Sequence, residues 1–291
     1  MSGRSKRTSK FAPNEFDELL LKEINNVLLD SKLETNDENN KNNKLPPLVF
    51  ISFAPRSGTT YLAQLLARSS KFHYVSNFVA RFWMCPHIGL FLQNVTGLTS
   101  ISNIDEPFDS LYGVTSHPLD PHEFGFFWRQ FITGGHSDYV SKPYDSDLVN
   151  NLRKLLNKFR AYSTKPMFIK NGLAGYNIDF IRHCFPEAKF IHVKRDLNEV
   201  VRSIYKGRKE VFNDFSEWLS IKPKNIADLQ TLNDPKDQIR GQVESIDHHI
   251  HFTCVETKAD FIQIDYSDIV SKPEDKVDEI YNFAMKSEHF K

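Results

Sequence analysis

Short apolar runs alternate along this chain with longer amphipathic stretches. Strand-like runs rich in β-branched and aromatic residues occupy residues 47–53, 167–170, 189–193 and 260–264. The stretches between them carry apolar residues at helical spacing. Strands that alternate with helices build a parallel sheet with helices packed on its faces. The pattern therefore predicts an α/β protein with three layers, helix on sheet on helix.

The first 44 residues differ in pattern from the rest. Residues 1–13 are basic and serine-rich, and we expect this tail to be disordered. Residues 14–33 predict an amphipathic helix, and residues 34–44 form a polar, low-complexity linker. The apolar face of the helix consists of Phe16, Leu19, Leu20, Ile24, Val27 and Leu28. The main domain is predicted to span residues 45–291.

Residues 78–150 form a long, aromatic-rich insertion between two predicted strands. An insertion of this length is a reasonable place for a binding pocket. The alternative is that the insertion is a helical cap with an ordinary aromatic core. The two interpretations do not exclude each other. Its aromatic residues are Phe78, Phe82, Trp83, Phe91, Phe124, Phe126, Phe127, Trp128, Phe131 and Tyr139.

Composition narrows the class of protein. Lys plus Arg and Asp plus Glu number 37 each, so the net charge is +0, which argues against a general nucleic-acid-binding surface. Three scattered cysteines form no C-x-x-C pair, which indicates neither a disulfide framework nor a zinc site and favours a reduced, cytoplasmic location. No apolar run is long enough to span a membrane, and no secretory signal follows the basic tail.

The first motif is the loop Pro55 to Thr60 (PRSGTT), between a predicted strand and a predicted helix. This geometry points backbone N–H groups at an anion. The Walker pattern G-x-x-x-x-G-K-[ST] is not met, because its first Gly is missing and Arg56 lies two positions before Gly58. The loop therefore suits a phosphate or sulfate group bound without a metal ion. The alternative is an ordinary turn with Gly58 at its corner.

The second motif follows the predicted strand at 189–193. Asp196 is a candidate helix N-cap with Glu199 three residues later, as in a capping box. Arg195 lies at the carboxyl end of the strand, where ligands bind in open α/β sheets, and Ser203 lies two helical turns further along. Arg195 and Ser203 could thus face the same ligand as the first loop. Alternatively, Arg195 only pairs with Asp196 or Glu199 at the surface.

These two motifs resemble those of the sulfotransferase family. PRSGTT resembles its 5′-phosphosulfate loop in the Arg-containing form, and residues 194–203 resemble its 3′-phosphate motif R-D-P-x-x-V-x-x-S, with Leu197 in place of Pro. Lys170-Asn171 resembles the mid-chain K-N element, and residues 185–190 and 265–274 resemble further family segments. The resemblance runs from about Leu45 to the C-terminus.

The resemblance implies a P-loop-like fold and 3′-phosphoadenosine 5′-phosphosulfate as the sulfuryl donor, with no metal required. The acceptor would be a hydroxyl or amine of a small molecule or carbohydrate, bound on the side of the helical insertion. The residues implied to bind the donor are Arg56, Ser57, Gly58, Thr59, Thr60, Arg195 and Ser203.

The general base is the least certain part of the prediction. The family uses either His or Glu, and our first choice is Glu123, which precedes a run of aromatic residues. Alternatively, Glu123 is an N-terminal helix charge after Pro121. His122 is the second choice for the base, or else an exposed loop imidazole. Lys170 either contacts the transferring sulfuryl group or caps its strand.

Two other classes stay open. A P-loop kinase or NTPase would need a Walker lysine and a metal-holding acid, for which Asp265 is the obvious candidate. A non-catalytic nucleotide-binding relative would keep both motifs and lack the base.

The run from Lys206 to Lys209 could reach an anion or form a solvated charged surface. The sequence does not indicate the acceptor or the oligomeric state.

Overall fold

A four-stranded parallel sheet is the centre of the described fold. The computed structural model describes residues 6–31, 45–98 and 110–286. The strands are β1 (Leu48–Phe53), β2 (Met167–Lys170), β3 (Lys189–Lys194) and β4 (Phe261–Asp265), in the spatial order β2-β1-β3-β4. All three pairings are parallel. The carboxyl ends of the strands therefore lie along one edge of the sheet, and the predicted α/β class is confirmed.

Helices connect the strands and cover the sheet. In chain order they are α1 (Glu15–Asp30), α2 (Thr59–Arg68), α3 (Pro86–Val95), α4 (Gly125–Trp128), α5 (Ser146–Arg160), α6 (Gly172–Tyr176), α7 (Ile178–Cys184), α8 (Leu197–Phe212), α9 (Ile226–Gln230), α10 (Pro235–Glu256), α11 (Tyr266–Ser271) and α12 (Pro273–Met285). A short 3₁₀ helix covers Val79–Phe82. Among these residues, no helix is long and apolar enough to cross a membrane.

The strand β1 shows why the sheet has a core on each face. Its six residues, LVFISF, are all buried, as expected for a central parallel strand covered by helices on both sides. Successive side chains of a strand point to opposite faces. Leu48 and Phe50 accordingly join one hydrophobic cluster, and Val49 and Ile51 join the other.

The aromatic residues of the insertion mainly build the core. Phe127 and Trp128 are fully buried, and the Trp128 ring meets the Phe50 ring edge-on at 5.8 Å. Phe124 and Phe131 belong to the same cluster. The alternative of an ordinary aromatic core therefore describes these residues. Residues 99–109 of the insertion lie outside the described residues.

The helix α1 turns its apolar stripe toward solvent. It is attached through a polar residue: the buried Asn25 donates from Nδ2 to the Arg81 carbonyl at 2.8 Å and accepts at Oδ1 from the Met84 N–H at 2.9 Å. Phe16, on the opposite side, is 71 % exposed. The other exposed apolar residues of the predicted face are Leu19, Leu20, Ile24 and Val27. The predicted helix exists, but a stripe that normally faces the core is open here.

The expectation of a disordered basic tail is wrong for residues 6–13. Thr8 donates its backbone N–H to the Val211 carbonyl at 2.8 Å and its hydroxyl to the Glu210 carbonyl at 3.0 Å. Lys6 pairs with Glu217. The missing apolar pattern misled the prediction, since these contacts are mainly backbone and charged ones. The predicted linker at 34–44 lies outside the described residues.

Candidate active site

The predicted anion-binding loop connects β1 to α2. Arg56 and Gly58 both adopt left-handed backbone conformations, with φ of 69° and 87°. Gly58 is the N-cap of α2, so the loop ends at the N–H groups of the first helical turn, which are of the kind that bind anions. A Cβ on Gly58 would lie 2.1 Å from Cδ2 of Tyr266, so the tight approach of this ring requires glycine. The buried hydroxyl of Ser57 donates to the Ala54 carbonyl at 2.7 Å and stabilises the turn.

The second motif meets this loop directly. The Asp196 side chain accepts from the Glu199 N–H at 3.0 Å and caps α8 as predicted. Arg56 donates from Nε to the Ser203 hydroxyl at 3.0 Å. Arg195 donates from one terminal nitrogen to the Arg56 carbonyl at 3.3 Å. The fold thus brings together the two segments that the sequence only suggested could share a ligand.

Arg195 shows both of the alternatives considered from the sequence. It pairs through Nε with Glu199 at 2.9 Å, which is the surface ion pair. Its guanidinium also lies 4.5 Å from the centroid of the Tyr266 ring, inside the cleft. The aromatic face and the loop carbonyl hold the guanidinium in the cleft, in addition to its ion pair with Glu199.

A second polar centre lies beside the loop. Lys170, at the end of β2, has a side chain that is 2 % exposed, and its Nζ lies 2.6 Å from Oε1 of Glu123. The same Nζ donates to the Thr60 hydroxyl at 3.0 Å. Asn171 donates from Nδ2 to the Glu123 carbonyl at 2.7 Å and caps α6 with its side-chain oxygen. Lys170 therefore joins the anion loop to Glu123.

Glu123 does not lie in the first turn of a helix. The helix α4 begins at Gly125, and its N-cap Phe124 has a left-handed φ of 56°. This turn directs the Glu123 carboxylate, 43 % exposed, toward Lys170. The alternative interpretation of Glu123 as an N-terminal helix charge therefore does not describe its position.

His122 has a structural role in the same turn. Its Nδ1 accepts the Phe124 N–H at 2.8 Å, and the residue does not line the cleft described next. The surrounding protein atoms lower the pKa of the His122 imidazole to about 4, although the residue is exposed to solvent. The ring is therefore neutral near pH 7 with one nitrogen already engaged. Of the two candidate bases, Glu123 is the one that faces the cleft.

An open cleft joins the two centres, with about 860 Å³ of empty space including its solvent-filled mouth. Burial lowers the pKa of Arg56 from 12.5, and the charge of Arg195 lowers it further. A ligand that carries negative charge would relieve this repulsion. The cleft is lined by Phe53, Pro55, Arg56, Gly58, Thr59, Thr60, Tyr61, Ser110, Tyr112, Gly113, Glu123, Arg195, Leu219, Ser220 and Tyr266.

The sequence analysis assigned no role to two aromatic residues of the cleft. Tyr266 directly follows β4, so the rule that ligands bind beyond strand ends could have identified it. Tyr112 lies in a stretch without periodicity, and no sequence signal marked it. The Arg56 guanidinium carbon lies 4.9 Å from the centroid of the Tyr112 ring.

The remaining candidates have structural partners of their own. Arg208, in the basic run at 206–209, is fully buried and donates to the Phe215 carbonyl at 3.0 Å and to Gln238 at 2.9 Å. Asp265 is the N-cap of α11. Over residues 6–31, 45–98 and 110–286, no group of three or more His, Cys, Asp or Glu side chains could hold a metal ion.

The fold and the site define an α/β protein in which the predicted anion loop, the arginine motif facing it and a lysine–carboxylate pair lie together. The model of the sulfotransferase family matches residues 47–285 of the chain. The chain therefore belongs to the sulfotransferase family and is a transferase.

Solved structures agree on the fold. The chain is similar to sulfotransferase STF9 from Mycobacterium avium with a TM-score of 0.56 and 13 % identity, over 97 % of this chain and 74 % of that one. It is similar to sulfotransferase STF1 from Mycobacterium tuberculosis H37Rv with a TM-score of 0.55 and 14 % identity, over 98 % and 80 %. No curated protein sequence matches the chain.

Proposed function

We propose that the enzyme transfers the sulfuryl group of 3′-phosphoadenosine 5′-phosphosulfate to a hydroxyl or amine of a small-molecule or carbohydrate acceptor. The observation that carries the proposal is the contact between the two motifs. The Arg56–Ser203 hydrogen bond of 3.0 Å joins a 5′-phosphosulfate loop to a 3′-phosphate motif. A donor with phosphate groups at both ends fits such a double anion site. Net charge near zero leaves no general surface for nucleic acid.

In this proposal the cations of the cleft hold the donor and stabilise the departing charge. The loop N–H groups, Arg56 and the hydroxyls of Thr59 and Thr60 bind the 5′ end, and Arg195 with Ser203 binds the 3′-phosphate. When the acceptor oxygen bonds to sulfur, the bond from sulfur to the bridging phosphate oxygen breaks, and negative charge collects on that oxygen. Preorganised cations at the site of developing charge are the main source of catalysis in such transfers.

Glu123 is the proposed base, and Lys170 is the proposed link between base and donor. The Glu123 carboxylate takes the acceptor proton as the new bond forms. The Lys170 Nζ lies 2.6 Å from Glu123 and 3.0 Å from Thr60, so one cation contacts both sides of the reaction. Protonation of Glu123 removes its charge and leaves Lys170 to stabilise the donor side. No metal ion enters this scheme.

Calorimetric titration in EDTA tests the donor site. We expect adenosine 3′,5′-bisphosphate to bind and adenosine 5′-phosphate to bind far more weakly. Arg195→Ala should weaken the bisphosphate by about 10- to 100-fold, the range for a hydrogen bond to a charged group. The matched control is Arg129→Ala, whose side chain is 63 % exposed and does not line the cleft.

Transfer of labelled sulfate to a panel of alcohols, phenols, amines and sugars tests the reaction. Equal affinity for the two nucleotides would refute the donor assignment and favour a kinase or NTPase, whose activity EDTA would stop. Tight bisphosphate binding without transfer to any acceptor would indicate a non-catalytic relative.

For the cellular location we propose the cytoplasm, on the ground that Cys85, Cys184 and Cys254 are free and buried.

A further inference from the structure

The N-terminal segment, residues 6–12, lies across the end of the helix that carries the 3′-phosphate motif. Thr8 binds the Val211 and Glu210 carbonyls of α8 through its N–H and its hydroxyl. The Thr8 carbonyl in turn accepts the N–H groups of Phe11 and Ala12 at 2.8 and 2.9 Å, which closes a turn. This turn presents the Phe11 ring to the cleft side of α8.

Tyr112 connects this segment to the anion loop. The Phe11 ring meets the Tyr112 ring edge-on, with centroids 5.6 Å apart. The Tyr112 hydroxyl donates to Oε2 of Glu210 at 2.6 Å, and burial together with this bond raises the pKa of the hydroxyl to about 12. On its other side, the ring faces the Arg56 guanidinium at 4.9 Å. The edge-on contact with Phe11 and the hydrogen bond to Glu210 thus hold the Tyr112 ring, whose aromatic face contacts the Arg56 guanidinium.

The helix α8 is shaped to receive this ring. A Cβ on Gly207 would lie 2.9 Å from Cε1 of Tyr112 and 2.7 Å from a Leu219 methyl group, so glycine leaves space for the ring. The backbone of Tyr112 is itself left-handed, with φ of 51°, a conformation that a bulky residue adopts only when its surroundings hold it. These surroundings are Phe11, Glu210 and Gly207.

We propose that Tyr112 is a positioning residue for Arg56 and that the N-terminal segment, through Phe11, is a functional part of the donor site. An arginine side chain has many rotamers, and a stacked aromatic face restricts it before the ligand arrives. Phe11 and Glu210 keep that face in place. Residues outside both donor motifs therefore set the donor affinity, and the proposal rests on the donor site proposed above.

The test uses the full chain and calorimetric titration with adenosine 3′,5′-bisphosphate. We expect Phe11→Ala to raise the Kd by about 3- to 10-fold, because the Tyr112 ring would lose its support and its cation–π contact with Arg56 would weaken. The matched control is Phe16→Ala, five residues further along and 71 % exposed, which should leave the Kd unchanged. Tyr112→Leu should raise the Kd at least as much as Phe11→Ala, and Tyr112→Phe, which keeps the ring, should retain most of the affinity.

Two further readouts separate positioning from general structural damage. In transfer assays Phe11→Ala should raise the KM for the donor and leave the KM for the acceptor unchanged. In an Arg56→Ala background, Phe11→Ala should have no further effect on the Kd, because its action passes through Arg56. Equal effects in both backgrounds would overturn the proposal.

The sign of the change is also informative. If Phe11→Ala tightened bisphosphate binding, the segment would be an obstruction and the positioning proposal would be wrong. If Phe11→Ala matched Phe16→Ala in a wild-type enzyme that prefers the bisphosphate, this inference would fail and the donor site would stand. If the wild-type protein showed no bisphosphate preference, the donor site itself would fail, and this inference with it.

Discussion

Replacing Gly58 by alanine should damage both the stability and the donor site, for reasons that the structure separates. The backbone at Gly58 has φ of 87°, and a residue with a Cβ pays about 1 kcal/mol or more for a left-handed conformation. The new Cβ would also lie 2.1 Å from the Tyr266 ring, so the ring or the loop must move. Overpacking of this kind costs about 1–3 kcal/mol. We expect a total loss of about 2–4 kcal/mol in the free energy of unfolding.

The chain offers a matched control for the backbone contribution. Gly97 also has a positive φ, of 76°, and a Cβ there meets no atom of the described residues within 4 Å. Gly97→Ala should therefore lose only about 1 kcal/mol. The difference between the two variants in urea denaturation measures the cost of displacing Tyr266.

Displacing Tyr266 should also affect donor binding, because the Arg195 guanidinium carbon lies 4.5 Å from the centroid of the Tyr266 ring. Gly58→Ala should weaken adenosine 3′,5′-bisphosphate by more than about 10-fold, the equivalent of about 1.4 kcal/mol, in calorimetric titration. Gly97→Ala should leave this affinity unchanged. Equal stability losses in the two alanine variants, or undiminished bisphosphate binding by Gly58→Ala, would refute the reasoning.

Three further predictions address the base, the histidine next to it and the attachment of α1. Glu123→Gln should lower kcat by about 10²–10⁴-fold while the bisphosphate Kd stays within about 3-fold, measured by initial rates and calorimetry. His122 has a folded-state pKa of about 4 against an ordinary 6.5. The unfolded chain therefore binds a proton first, and the free energy of unfolding should fall as pH drops from about 6.5 toward 4, by an amount that solvent screening keeps small because His122 is exposed. Urea denaturation at pH 7 and pH 4.5 should show a smaller loss for His122→Asn, which keeps an acceptor for the Phe124 N–H. Asn25→Ala removes the hydrogen bonds to Arg81 and Met84, so amide exchange in α1 should quicken while β1 stays protected.

Each of these has a contrary outcome. Full activity of Glu123→Gln would exclude Glu123 as the base. Identical acid sensitivity of the wild type and His122→Asn would show that other groups control the loss, of which His73 and His249, also with pKa values of about 4, are the first to examine. Unchanged exchange in Asn25→Ala would mean that α1 is held by other contacts.

The central sheet and the two motifs were predictable because their signals are local. A fully buried parallel strand such as β1 must be continuously apolar, and the segment after it must present polar groups at the sheet edge. The same rule places Arg195 after β3. Asp196, the helix-capping acid, also marked the start of α8 correctly.

The features that were not predicted depend on contacts between distant segments. The left-handed backbone of Phe124 turns Glu123 out of α4, and helical spacing alone places it inside a helix. The apolar stripe of α1 faces solvent because Asn25, on the other side of the helix, bonds to a carbonyl and an N–H group at the end of the 3₁₀ helix. The amphipathic pattern alone does not predict which side of the helix faces the protein. Tyr112 is held by Phe11 and Glu210, about 100 residues away on either side in sequence, so no local pattern identifies it.

The hydrogen bond between Arg56 and Ser203 has a consequence for how pieces of a donor bind. In the proposed donor site Arg56 binds one end of the ligand and Ser203 the other, so an anion at either end would compete for the same bond. A fragment that binds one of these two side chains breaks the hydrogen bond and leaves the other side chain available to a second fragment. Sulfate and adenosine 3′-phosphate should therefore enhance each other's affinity, and by linkage the enhancement must be the same whichever fragment binds first.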